Sequence, residues 1–120
     1  MLNSWTGMGR LTKDPEMRKT QNGKSVATFT IAVDRDFDRE TTDFVPCVAW
    51  RNTADFVSKH FSKGQLEIIN GAWQSRKWKD KDGNNHLTWE VNVNNIYFGG
   101  DKRQAVSAFE EIADDEEIPF

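Results

Sequence analysis

Cysteine and histidine are scarce in this sequence. Cys47 is the single cysteine among the 120 residues, and His60 and His86 are the two histidines. One cysteine cannot form an intrachain disulfide, and two histidines far apart in sequence do not provide the ligand spacing of a zinc site. We therefore expect no disulfide, no metal and no other cofactor, and we interpret Cys47 as a small buried hydrophobic residue.

Long hydrophobic runs are also missing. No stretch approaches the roughly 20 apolar residues of a membrane-spanning helix, and the first five residues, MLNSW, lack the basic start and apolar centre of a signal peptide. These absences predict a cytoplasmic protein with no membrane partner. A chain of 120 residues fits one domain with a core of its own.

The charged residues are unevenly distributed. The chain has a net charge of −3, yet positions 110–120 contain six acidic residues and no basic one. The first 109 residues consequently carry three more basic than acidic side chains. This asymmetry favours a nucleic-acid-binding body with an acidic interaction tail over an acidic enzyme.

The segment 74–89 combines two tryptophans with four cations. Asp82-Gly83 predicts a type I′ turn between two strands, since both central residues of that turn need positive φ. Trp78 lies among cations that would have to be desolvated in a core, namely Arg76, Lys77, Lys79 and Lys81. One interpretation is a surface that meets single-stranded nucleic acid. The alternative is a soluble hairpin whose tryptophan packs on a lysine stem.

Apolar periodicity predicts five strands and one helix. The strands are expected over 2–11, 26–35, 44–51, 65–79 and 86–98. Asn52 is expected to cap a helix over 53–62 that ends before Gly64. The buried stripe of this helix is predicted to be Ala54, Val57 and Phe61.

Several local irregularities are expected within these strands. Gly7 and Gly9 indicate a bend, a bulge or the close approach of another backbone in the first strand. The apolar parity shifts at Asn70-Gly71, which predicts a bulge. In the last strand the alternation places Trp89 in the core or at its rim.

The third strand has a different character on each face. Val45, Cys47 and Ala49 are small and suit a core, whereas Phe44 and Trp50 lie on the opposite face. Aromatic side chains pointing away from a core need a covering partner or a ligand. Phe37 stands alone in the charged loop before this strand, so it either folds back onto the core or is displayed to solvent.

Three strands, one helix and two further strands are the element order of an OB-fold, a five-stranded Greek-key barrel that binds oligonucleotides on one face. We therefore predict an all-β domain with one short helix over 1–98. A linker is expected over 99–113, and a flexible acidic tip over 114–120.

Five segments of this body carry a family resemblance. They are GRLTKDPEMR at 9–18, NGKSVATFTIAV at 22–33, DFVPCVAWR at 43–51, KG at 63–64 and SRKW at 75–78. Together they resemble the bacterial and bacteriophage single-stranded DNA-binding proteins along nearly the whole body. The end of the chain, DDEEIPF at 114–120, is similar to that family's acidic tip, which docks onto replication, recombination and repair proteins.

The resemblance implies binding of single-stranded DNA without sequence specificity, protection of that DNA and recruitment of replication, recombination and repair proteins. The aromatics implied to stack on bases are Phe37, Phe44, Trp50 and Trp78. Arg76 and Lys77 match the family's phosphate-contacting pair. Four further cations are added as DNA contacts by proximity: Arg35, Arg39, Lys79 and Lys81. The implied partner-binding residues are Asp114, Asp115, Glu116, Glu117, Ile118, Pro119 and Phe120.

The resemblance also bears on assembly and origin. The family forms homotetramers partly through its first strand, where Trp5 and Gly7 replace branched aliphatic residues of the family pattern. The linker is shorter than the Gly-, Gln- and Pro-rich linker of the family. This looks like a minimal, phage-encoded version, for which the expected compartment is the host cytoplasm.

Other classes of function compete with this one. An RNA-binding OB-fold module would use the same stacking, and an adaptor acting through its tail alone would not need the aromatic face. Asp34, Asp36 and Asp38 could be pictured as a metal site of an enzyme. The interleaved arginines favour a solvated, self-paired loop instead. No nucleophile motif is present, so we predict that the chain is not an enzyme.

Overall fold

The computed structural model of the chain describes residues 1–38 and 40–100. The predicted DNA contact at Arg39, the rest of the linker from 101 onward and the acidic tip lie outside the described residues. The elements follow one another as β1 (Trp5–Leu11), β2 (Glu16–Lys19), β3 (Ser25–Asp34), β4 (Thr42–Trp50), α1 (Arg51–His60), β5 (Leu66–Lys79) and β6 (Asn85–Phe98).

The prediction of an all-β domain with one short helix is confirmed, although the described part has six strands where five were expected. The additional strand, β2, has four residues, all exposed. It pairs antiparallel with β3, from Glu16 opposite Thr28 to Lys19 opposite Ser25. No apolar alternation marks such a strand in the sequence, because neither of its faces is buried.

The six strands form one sheet that closes on itself. Their order is β1-β5-β6-β4-β3-β2, and β1 also pairs with β3 through Arg10 and Leu11. The contact between β4 and β6 is parallel, with Cys47 opposite Val91, and α1 lies between β4 and β5 in the chain. This closed sheet with one intervening helix is the predicted OB-fold.

The helix α1 begins two residues earlier than predicted, at Arg51. Its N-cap is Trp50, in an extended conformation and without a side-chain capping bond, so the predicted cap at Asn52 is wrong. Strand β4 ends at Trp50 and the helix begins at the next residue, so no loop separates them. The change of direction is made at Arg51, which has a φ of 56°. The buried residues of the helix are Ala54, Phe56 and Val57, of which Phe56 was not predicted; Phe61 is buried as predicted but is the C-cap residue.

Two glycines allow close approach of neighbouring backbones. A Cβ atom on Gly9 would lie 2.5 Å from the carbonyl oxygen of Ala32, which confirms the close contact expected in the first strand. The register between β5 and β6 shifts at Asn70-Gly71, where a bulge was predicted, and the residue without a partner is Asn94 on β6. A Cβ on Gly71 would overlap the carbonyl oxygen of Asn92, so side chains at either position would push two strands apart.

The core contains one charged residue among the described positions, Glu67 on β5. Its side chain is fully buried, and both carboxylate oxygens lack a hydrogen-bond partner. Burial raises the pKa of Glu67 to about 9. Cys47 is also buried, as expected, and burial raises the pKa of its thiol, with Glu67 as a further cause.

The hairpin formed by β5 and β6 pairs as far as Lys79 opposite Asn85. Its loop is closed by the N–H of Asp80, which donates to the carbonyl oxygen of Asn84 at 3.1 Å, and has Gly83 at a φ of 82°. The predicted type I′ turn is wrong, because Asp82 does not have positive φ. The Asp80 carboxylate accepts bonds from the N–H groups of Asp82 and Asn84, both at 2.9 Å, which stabilises this three-residue loop instead.

Candidate nucleic-acid interface

Strand β4 displays two aromatic rings on the face opposite the core. Phe44 is 65% exposed and Trp50 is 42% exposed, whereas Val45, Cys47 and Ala49 of the other parity are buried. The alternation of a strand therefore places core residues and exposed rings on opposite faces, as the sequence predicted. Small β3 residues lie opposite the two rings, Ala32 opposite Phe44 and Val26 opposite Trp50, and they leave the rings open to solvent.

A groove in two adjoining parts runs along this face. Four residues line both parts: Arg18 on β2, Thr28 on β3, Arg76 on β5 and Glu90 on β6. Trp50 belongs to the first part and Phe44 to the second. Their further lining includes Val26, Val48, Pro46 and Thr88. The groove thus offers two aromatic surfaces with cations between them, which suits a chain of flat bases on a charged backbone.

The ring of Trp78 is held in place on the hairpin. Its Nε1–H donates to the Thr88 hydroxyl at 2.8 Å, and the ring stacks on His86 with centroids 4.4 Å apart and an interplanar angle of 19°. The ring that it packs against is therefore that of His86. Because one indole face rests on the imidazole and the residue is still exposed, a further flat group can stack on Trp78.

His86 in turn is fixed by the hairpin turn. Its Nε2 lies 2.8 Å from the Oδ2 atom of Asp80, the residue whose carboxylate also holds the loop. The hydrogen bond with His86 is the main cause that lowers the pKa of Asp80. The turn, His86 and Trp78 thus form one connected support, which keeps the orientation of the indole ring constant.

Two of the predicted cations are bound to carboxylates on the protein. Arg35 forms two hydrogen bonds of 3.0 Å with the carboxylate of Asp43, and these lower the pKa of Asp43. Arg76 Nε lies 3.3 Å from Glu90 Oε1. Their positive charges are partly neutralised before any ligand arrives. The charge contribution of the groove is therefore modest, and the aromatic rings gain in importance.

The register divides the predicted hairpin residues between two faces. Arg76 lies opposite Thr88 and Trp78 opposite His86, on the groove side. Lys77 and Lys79 have the other parity, so their side chains leave the hairpin on its opposite face. Lys81 lies in the loop at the tip. The adjacent Arg76-Lys77 pair therefore does not form one phosphate clamp.

The remaining predicted aromatic, Phe37, is fully exposed in the loop between β3 and β4. It is not among the residues that line either part of the groove.

Sequence reasoning missed Arg18, which lines both parts of the groove. The available signal was its position at the end of the matching segment 9–18. Trp89 was expected in the core or at its rim; it contacts Trp73, which packs against the core, and is itself 53% exposed, so it lies at the rim.

The aspartates of the charged loop make separate local contacts. Asp34 accepts a hydrogen bond from the Thr42 hydroxyl at 3.2 Å, and Asp38 accepts one from Thr41 at 2.6 Å. Within residues 1–38 and 40–100 no three His, Cys, Asp or Glu side chains form a group able to hold a metal ion. The same part of the chain has no helix that is long and apolar enough to cross a membrane.

Comparison with known proteins places this geometry in a family. The model of the single-strand binding protein family matches residues 2–99. A single-stranded DNA-binding protein of Caldanaerobacter subterraneus is 41% identical over 102 residues, which are 82% of this chain and 68% of that protein.

Two further relatives give the same picture. Single-stranded DNA-binding protein A of Bacillus subtilis is 41% identical over 102 residues, 82% of this chain and 59% of its own. Single-stranded DNA-binding protein 1 of Staphylococcus aureus is 45% identical over 103 residues, 82% of this chain and 61% of its own. The chain thus spans less than two thirds of the length of these two relatives.

Proposed function

This chain belongs to the single-strand binding protein family, and we propose that it binds single-stranded DNA without sequence specificity and protects it. The observation that supports this most directly is the pair of exposed rings, Phe44 and Trp50, in a groove that also contains Arg18 and Arg76. Phe37, Trp78 and the exposed cations near them extend the proposed surface. The function is binding without chemistry, in the cytoplasm of the cell or of a phage host.

Stacking accounts for the preference for single strands. Each base on an aromatic ring contributes roughly 1–3 kcal/mol and every base has a flat face, so the sequence of the DNA matters little. A duplex hides its base faces and keeps only the charge attraction. That attraction is small here, because Arg35 and Arg76 already face carboxylates.

A competition experiment tests the proposed function. A labelled oligo(dT) of about 16 nucleotides, the upper site size of one OB-fold, is displaced by unlabelled oligo(dT), by a duplex of equal length or by a matched RNA. We expect the single-stranded DNA to compete at least tenfold better than the duplex. Equal competition by the duplex would show that charge alone drives binding. If RNA binds more tightly than DNA, the function is that of an RNA-binding module.

We also propose that the acidic segment 110–120 binds replication, recombination and repair proteins, and that it competes with DNA for the cations of the groove when no partner is present. Its six acidic residues without a basic one support this. Removing 110–120 is expected to tighten binding of oligo(dT) severalfold at low salt. At about 1 M salt, where the Debye length is about 3 Å, the difference should disappear.

The tail experiment needs a control of equal length. Replacing the six acidic residues by asparagine and glutamine should reproduce the effect of the deletion, because the charge is what competes with phosphate. Affinity that is unchanged or weaker in both variants would rule out competition between the tail and DNA.

We further propose that the protein assembles as a homotetramer through β1. This strand pairs with β5 from Trp5 to Arg10, but in the described part its other edge pairs with β3 at Arg10 and Leu11 alone. The unpaired N–H and C=O groups of the first residues can accept the same strand of a second copy. Equilibrium sedimentation distinguishes one chain from four.

A further inference from the structure

A row of tryptophans continues from the end of the barrel onto the projecting hairpin. Trp5 and Trp73 contact each other edge to face, with centroids 6.3 Å apart, and both pack against the core. Trp73 and Trp89 make a similar contact at 6.4 Å. The first two rings are partly buried, whereas Trp89 is 53% exposed.

Trp89 forms an apolar patch together with Leu87, which is 57% exposed. Both residues have the parity of β6 that continues the core face, opposite to that of His86 and Thr88 beneath Trp78. The hairpin therefore has a different exposed aromatic on each face. Trp73 packs against the core and Trp89 does not. Binding of a ligand therefore explains a large exposed ring at position 89 better than packing of the barrel does.

The charges on the Trp89 face are all basic. Lys77 lies opposite Leu87, Lys79 opposite Asn85 and Ser75 opposite Trp89, all on this face. Of the two acidic residues of these strands, Glu67 is buried in the core, and Glu90 lies on the other face and contacts Arg76. A flat apolar surface beside two cations is complementary to bases joined by phosphates.

The same charges argue against a second copy of the chain as the occupant. A twofold interface joins identical patches, and it would bring Lys77 and Lys79 of both copies together around Trp89. Like charges in a desolvated contact are unfavourable, and the described face has no acidic side chain to offset them. Single-stranded DNA is the occupant that the surface favours.

We propose, on the basis of the function proposed above, that single-stranded DNA contacts both faces of this hairpin, with Trp89 as a second stacking surface and Lys77 and Lys79 as its phosphate contacts. Arg76 lines the groove, and the side chain of the next residue, Lys77, lies on the opposite face of the hairpin. DNA that leaves the groove past Trp78 crosses the hairpin near its tip and stacks on Trp89. The second surface is therefore filled only by DNA longer than the groove.

The length of the oligonucleotide provides the test. Trp89→Ala is expected to weaken binding of a long oligo(dT) by at least about fivefold, the lower end for one stacked base. Binding of an oligo(dT) just long enough for the groove should be unchanged. Trp89→Phe, which keeps a ring, is the matched control and should retain most of the affinity for the long oligomer. Thermal unfolding checks that each variant is folded.

A second pair of variants tests the phosphate contacts. Lys77→Gln and Lys79→Gln should each reduce the salt slope for the long oligomer by about 0.7 while leaving the slope for the short one unchanged. These substitutions are exposed and do not disturb the core.

The outcomes separate this proposal from the proposed function. If the unaltered chain binds neither oligomer, the function itself fails. If it binds both and Trp89→Ala binds the long one equally well, the second surface is overturned while the function stands. A loss of affinity that follows a change of sedimentation mass in Trp89→Ala would show that the patch joins two copies, which also overturns it.

Discussion

Replacing Glu67 with leucine is expected to raise the free energy of unfolding at pH 7 by on the order of 3 kcal/mol. Glu67 is fully buried, neither carboxylate oxygen has a partner, and burial raises its pKa from 4.5 to about 9. At pH 7 the carboxyl group must take up a proton when the chain folds. That uptake costs about 1.4 kcal/mol for each of the roughly 2.5 pH units above the unfolded pKa.

The same residue predicts how stability depends on pH. Between about 4.5 and about 9 the folded chain binds one more proton at Glu67 than the unfolded chain does. The free energy of unfolding therefore falls as the pH rises, by about 1.4 kcal/mol per unit. The stability that the fold has with Glu67 protonated is fully present below the unfolded pKa of 4.5. It is lost as the pH rises through the folded pKa of about 9.

Denaturant titrations from about pH 5 to about pH 9 measure both the gain in stability and its dependence on pH. Glu67→Leu should be more stable and should lose this part of the pH slope. Glu67→Gln is the matched control, because it removes the titration and keeps an unpaired polar group, so it should flatten the slope with a smaller gain. If Glu67→Leu is less stable and keeps the slope, the carboxyl group has a favourable role that burial does not reveal.

The double substitution Phe44→Ala with Trp50→Ala is expected to weaken binding of oligo(dT) by roughly 30-fold to 10⁴-fold. Each lost stack removes about 1–3 kcal/mol, and every 1.4 kcal/mol is a factor of ten in Kd. The two rings lie six positions apart on one strand, about 20 Å at 3.3 Å per residue. Their losses should therefore add.

Fluorescence anisotropy with a labelled oligomer measures this loss. Both rings are exposed on the face away from the core, so the double variant should unfold at nearly the same temperature as the unaltered chain. Phe44→Tyr with Trp50→Phe keeps two rings and should bind almost normally. An alanine double variant within about twofold of the unaltered chain, which is below even one weak stack, would exclude stacking on β4.

The strands with one buried face were predictable because their apolar residues alternate. The prediction over 26–35 matches β3 at Ser25–Asp34, and the parity of β4 separated Phe44 and Trp50 from the core. The register shift at Asn70-Gly71 was expected at the right place, but the residue without a partner is Asn94 on β6, and β5 keeps one parity there. Alternation thus predicted both the barrel and the exposed rings of its groove.

Features set by contacts distant in sequence were not predictable in this way. The buried position of Glu67 has no signal, because Leu66, Ile68 and Ile69 make both parities of that segment apolar. The start of α1 has no capping sequence to mark it. Arg76 and Lys77 were grouped by adjacency, although the two-residue period of a strand would have placed them on opposite faces.

Titration of the intrinsic tryptophan fluorescence with poly(dT) over a series of salt concentrations tests the central claim most directly. Stacking on Trp50 and Trp78 predicts strong quenching whose amplitude stays constant as salt rises. The affinity should fall with a shallow slope of about −0.7 per phosphate neutralised. Binding without quenching, or binding that disappears steeply with salt, would show that the rings do not hold the bases and would contradict this account.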